Sequence, residues 1–127
     1  MNRTRLFLHE LSHPHSLSIV TFSLVAINLI FNIIANAAFK VSAASNTTRD
    51  FIIWQVVGNL AGFITVLTLT GLLRDIPLHI AFTVTTGLAV LGVQVVASGW
   101  LFHEPITTVQ WFGALLVIVG IGFLSWK

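Results

Sequence analysis

Four long windows without a charged side chain dominate this sequence and leave it few ways to fold. No Asp, Glu, Lys or Arg occurs between Glu10 and Lys40, and apolar density is high from Leu17 to Phe39. The other windows run Phe51–Leu73, about Leu78–Phe102 and about Thr107–Trp126. Each has the ~20 residues that a helix rising ~1.5 Å per residue needs to cross ~30 Å of hydrocarbon. The thirteen Leu, Ile, Phe and Val residues of Leu17–Phe39 contribute roughly −4 to −8 kcal/mol to insertion. That is enough to carry its three asparagines. The chain is 56% hydrophobic and 8% charged, whereas a soluble domain carries about 25% charge. We therefore expect an all-α integral membrane protein with four transmembrane helices.

The organisation follows. Residues 1–16 read as an N-terminal interfacial segment and residues 17–127 as one four-helix transmembrane domain, with spans at about 17–39, 51–73, 78–102 and 107–126. The 127 residues leave no room for a soluble catalytic domain. Connections are short: Lys40–Asp50 is the longest, and Pro77 and Pro105 limit helix continuation at the other two. Neighbouring helices should be antiparallel. Arg3 and Arg5 ahead of the first window could open a signal peptide, but the window is too long and no small-x-small exit site closes it before Lys40. Trp54, Trp100, Trp111 and Trp126 fall near span ends, at headgroup level. Arg3, Arg5, Arg74 and Lys127 stand on one side against Lys40 and Arg49 on the other, which predicts cytoplasmic termini. So small a bias also permits dual insertion.

Several chemistries are excluded or disfavoured. The absence of cysteine rules out disulfides, thiolate metal sites and a cysteine nucleophile. Six basic residues and a net charge of +2 are too sparse for a nucleic-acid surface. His9-Glu10-Leu11-Ser12-His13 matches the H-E-x-x-H pattern, which on a helix puts two imidazoles and a carboxylate on one face. Pro14 follows directly, and the next acidic residue after Glu10 is Asp50, across the first span. We read it as interfacial, with Leu6, Phe7, Leu8 and Leu11 on lipid, and expect no metal, cofactor or enzymatic activity. Asn46-Thr47-Thr48 matches a glycosylation acceptor and is given no role.

The spans themselves carry amides. Asn28, Asn32 and Asn36 recur every fourth residue, followed by Lys40, so they share one helix face. Gln55 and Asn59 repeat the spacing in the second span beside Gly58-x-x-x-Gly62, a small-residue pattern that allows close approach. The third span adds Thr83, Thr85, Thr86, Gln94 and Ser98. These groups could be interhelical glue or the lining of a polar route. No ionisable side chain lies deep in any span, so intramembrane proton relay by a carboxylate has no candidate. Gly113 and Gly120, seven apart, share a face of the fourth span, where they serve packing within the monomer or contact with another chain.

Order and spacing together resemble the small multidrug resistance proteins and short EamA-type members of the drug/metabolite transporter superfamily, from about Ala26 onward. Asn32-Ile33-Ile34-Ala35-Asn36 with Phe39-Lys40-Val41-Ser42 is similar to the family's Glu-x-x-Gly-Thr…Lys-x-Ser segment. Ile76-Pro77-x-x-Ile80-Ala81-Phe82, then Thr85-x-Gly87, is similar to its Ile-Pro…Ala-Tyr…Trp-x-Gly stretch. Phe102-His103-Glu104-Pro105-Ile106 leading to Gly113 and Gly120 resembles its closing glycine-heptad helix. The resemblance implies a dimer through the fourth helix, commonly antiparallel, in a bacterial inner membrane. It also aligns Asn32 with the glutamate that exchanges protons for cations in the drug exporters, and an amide takes up no proton near neutral pH. Phe82 and Thr85 stand where those exporters have aromatic residues that embrace substrate. Flippase subunits for undecaprenyl-linked aminoarabinose also lack the glutamate.

The expectation is a transporter that moves a polar or lipid-linked small molecule without carboxylate-based proton coupling. Its substrate-binding candidates are Asn28, Asn32, Asn36, Gln55, Asn59, Phe82 and Thr85, with Gly113 and Gly120 at the interface of a homodimer in membrane lipid. The rival is a non-transporting subunit of a larger membrane complex, whose amides and glycines contact a membrane-protein partner.

Overall fold

The computed structural model describes residues 14–126, with side chains from Ile19 onward. The interfacial segment through His13, including the His9–His13 motif, lies outside the described residues. Helix α1 spans Pro14–Ala43, α2 Thr48–Leu72, α3 Leu78–Gly92 with a π-helical continuation over Val93–Leu101, and α4 Thr108–Ser125. Among the described residues four stretches are long and apolar enough to cross a membrane: Ile19–Ala43, Thr48–Leu72, Leu78–Leu101 and Thr108–Ser125.

The packing inverts the soluble pattern. The buried positions are mostly small: Ala35, Ala38, Ala61, Ala81, Ala97 and Ala114, joined by the polar Asn28, Ser42, Thr68 and Thr85. Large side chains such as Phe22, Leu60, Phe63, Val109 and Phe123 are exposed. Lipid tails are as apolar as leucine, so burying a large apolar side chain between helices gains little. Small residues let backbones approach, and dispersion and hydrogen bonds then hold them.

Helices α1 and α2 form the most extensive pair, an antiparallel hairpin. Leu24 packs on Gly71, Asn28 reaches Thr65 and Thr68, the Phe39 ring lies on Gly58, and the Ser42 hydroxyl donates to the Phe51 carbonyl at 2.8 Å. Numbers rise along α1 as they fall along α2, which is the register of a hairpin. The charge pattern predicts an end of the first span at Phe39 and a connection from Lys40. Instead α1 continues to Ala43, so the connection shrinks to residues 44–47 and Lys40 sits in a helical turn. The buried Ser42 bond, inside that extra turn, explains the extension. Thr47 caps α2, its hydroxyl oxygen accepting from the Asp50 amide at 3.2 Å.

Helix α3 rests on α1 through Gly92, whose absent Cβ leaves room for Leu29 and Ile33. The third span is helical throughout, but beyond Gly92 it widens to π geometry. Its end keeps that wider spacing: the Phe102 amide donates to the Ala97 carbonyl at 3.0 Å and the Glu104 amide to Ser98 at 2.8 Å. The second bond resembles the closing bond of a Schellman cap with one residue added, and His103 supplies its left-handed turn at φ 49°. Helix α4 opens with a reciprocal capping box between Thr107 and Gln110. Within the described chain α4 packs extensively on α3 alone. Its seat is Gly87, where Ile121 and Val117 occupy the space of a side chain.

Candidate functional site: a chain of amides

The fourfold spacing in α1 yields one directed hydrogen-bond chain. Asn36 Nδ2 donates to the Asn32 carbonyl at 2.9 Å. Asn32 Nδ2 donates to the Asn28 carbonyl at 3.2 Å and to Asn28 Oδ1 at 3.0 Å. The buried Asn28 then crosses to α2, donating to the Thr65 carbonyl at 2.9 Å and Thr68 Oγ1 at 3.0 Å. Both N–H groups of Asn28 are therefore used. At the other end Asn32 Oδ1 and Asn36 Oδ1 accept no hydrogen bond among the described residues, and Asn36 is exposed. The chain is anchored at Asn28 and open toward Asn36.

The other sequence candidates are not joined to it. Asn59 Nδ2 donates to the Gln55 carbonyl at 2.7 Å, within one turn of α2, and no hydrogen bond joins this pair to the α1 amides among the described residues. Thr85 is buried and its hydroxyl donates to the Ala81 carbonyl at 2.8 Å, inside its own helix. Phe82 is exposed on α3. Of Gly58 and Gly62, only Gly58 receives a neighbour, the Phe39 ring; a Cβ on Gly62 would meet nothing within 4 Å. The same holds for Gly113 and Gly120, so a Cβ at either would stand in open space within the described chain.

Sequence reasoning missed three features. Thr65 and Thr68, one turn apart on α2, are the partners of Asn28; their spacing is visible in the sequence, but the helix they face is not. Gln94 Nε2 donates to the Gln110 carbonyl at 3.2 Å and ties α3 to α4. Lys40 Nζ lies 2.7 Å from Glu104 Oε1, joining the end of α1 to the α3–α4 connection across 64 positions of sequence. The Lys40 ammonium, through its hydrogen bond and then its charge, holds the Glu104 carboxyl below its usual 4.5, with Ser98 adding a further hydrogen bond. A carboxyl lowered by folding contributes stability above its usual value, and that contribution disappears as pH falls through the lowered one. Thermal unfolding of the native protein and Glu104→Gln should therefore differ by a constant amount above about pH 6 and converge in acid. A difference that grows on acidification would contradict the pairing.

The Asn28 anchor makes its own prediction. Asn28→Ala removes both interhelical bonds and one acceptor of Asn32, and should lower stability by about 1–2 kcal/mol in chemical unfolding from detergent. Asn36→Ala, which removes one bond within a helix at an exposed position, should cost well under about 1 kcal/mol.

These features define a class: a four-span membrane protein with a small-residue interior and an uncharged polar chain along its first helix. The model of the Small Multidrug Resistance protein family matches residues 20–118, most of the chain, from the first span into the fourth, and the chain belongs to that family. It is thus a multi-pass membrane protein of a transporter family. Searches of curated proteins and of solved structures returned no match.

Proposed function

We propose that this protein moves a polar or lipid-linked small molecule across the membrane as a homodimer, without carboxylate-based proton coupling. The observation that carries the reading is the amide chain: anchored through Asn28, it presents the unused oxygens of Asn32 and Asn36, and Asn32 stands where the resemblance places the family's proton-exchanging glutamate. An amide can exchange hydrogen bonds with a passing polar group at no cost in charge burial. Gln55, Asn59, Phe82 and Thr85, which among the described residues are not hydrogen-bonded to that chain, are assigned to the same route as further substrate contacts. The open glycines of α4 pair the protomers. Both termini are assigned to the cytoplasmic side, which the small excess of basic residues favours, and the membrane to a bacterial inner membrane, as the resemblance implies. The accessory-subunit reading gains no support from the fold or the family.

The test is flux into liposomes across a panel of polar and lipid-linked compounds, with Asn32→Ala alongside. Flux should fall by about tenfold or more while stability falls by only about 1 kcal/mol, because the lost bonds lie within α1. Unchanged flux in Asn32→Ala would remove the amide chain from the route.

A further inference from the structure

Two adjoining cavities lie where α1 ends, α2 begins and the π-helical segment closes. The outer one, about 520 Å³, has a polar rim formed by Lys40, Ser45, Asn46, Thr47 and Asp50. The inner one, about 390 Å³, is lined by Ile33, Ile34, Ala37, Ala38, Val57 and Leu101 and is almost wholly apolar. Val41, Trp54 and Phe102 border both, so the two form one cleft with a polar mouth and a hydrocarbon slot. Along α1 the slot runs from Ile33 to Val41, about 12 Å at helical rise. The mouth lies at the ends of two spanning segments, Ala43 and Thr48, and the slot extends inward from there.

This distribution selects its occupant. A hydrophilic solute would leave the apolar slot unfilled, and a plain hydrocarbon would make no use of the donors and acceptors at the exposed rim, where Lys40 already pairs with Glu104. The rim carries one cation and one anion. Lys40 has three N–H donors and places its ammonium 2.7 Å from a Glu104 oxygen, which leaves donors for a second acceptor. The Asp50 carboxylate makes no ion pair or side-chain hydrogen bond among the described residues. A headgroup of a single sign would satisfy one of the two and repel the other. Building on the transport reading, we infer that this cleft binds a single-chain amphiphile whose headgroup carries both an anionic group, held by Lys40, and an ammonium group, held by Asp50. Trp54, at the seam, packs where headgroup gives way to chain.

The test uses dodecylphosphoethanolamine, dodecyl phosphate and dodecylamine, titrated calorimetrically into the protein in a non-ionic maltoside. The doubly charged head should bind about tenfold tighter than either singly charged one, the worth of one charge-assisted hydrogen bond. Asp50→Asn should erase the preference over dodecyl phosphate, and Lys40→Gln the preference over dodecylamine. Ala37→Leu, which fills the slot, should weaken all three alike. Dioleoylphosphatidylethanolamine in large excess should leave the binding intact, because the slot takes one chain. Equal affinity for the three heads, an unchanged preference in Asp50→Asn, or full displacement by the two-chain lipid would each overturn the proposal. Titration reads binding without movement. Binding with no flux would therefore sink the transport reading and leave the site, whereas flux without headgroup preference would do the reverse.

Discussion

Gly87→Leu is expected to detach α4 from the bundle. A Cβ at residue 87 would overlap the tip of Ile121, lie 2.8 Å from Ile121 Cγ1 and touch Val117 Cγ1 at 3.5 Å. One added methyl group can be met by rotation of the Ile121 side chain, so Gly87→Ala should cost about 1 kcal/mol or less. A leucine has no such space, and the helices must separate. Because α4 packs extensively on α3 alone among the described residues, no other helix holds it in place. Overpacking at such a contact costs about 3 kcal/mol, and in lipid no hydrophobic force between helices offsets it. Chemical unfolding from detergent should show the loss directly. Equal stability of the leucine variant and the native protein would show that α4 is not seated at Gly87.

The second large effect concerns a flank of the same helix, beside the face that meets α3. In the double variant Gly113→Leu/Gly120→Leu the new Cβ atoms meet nothing within 4 Å in the described chain, so the monomer should keep its helix content and its stability to within about 1 kcal/mol. On the proposed dimer, however, both leucines enter the subunit contact. Two bulky side chains on one close-approach face should shift the protein to monomer in size-exclusion light scattering and abolish flux with it. The contrast with Gly87→Leu is the informative part: one variant loses its fold, the other its association. A double variant that remains dimeric would place the subunit contact elsewhere.

The three asparagines show where sequence reading succeeds and where it stops. Their fourfold spacing puts Asn28, Asn32 and Asn36 on one face, because 3.6 residues complete a turn, and the structure joins them in one chain. What Asn28 does next depends on Thr65 and Thr68, which lie 37 and 40 positions away. No local pattern announces that pairing. Gln55 and Asn59 carry the same spacing, yet they bond only within α2. The small-residue pattern Gly58-x-x-x-Gly62 likewise divides: Phe39 fills the space over Gly58, and nothing meets a Cβ at Gly62.

By itself the sequence determined the solvent. Windows of 20 or so residues without charge insert into hydrocarbon, charged pairs and prolines end them, and with all backbone groups needing internal partners in lipid the spans must be helices. Those constraints are local and additive, so they can be read residue by residue. Only the tertiary structure decided which polar groups are spent on packing and which stay open. That outcome depends on which helix faces meet: Gly87 admits Ile121, Ser42 extends α1 past Lys40, and Lys40 reaches Glu104 from the far end of the chain. Such meetings are set by close packing between distant segments, where a single methyl group changes the answer.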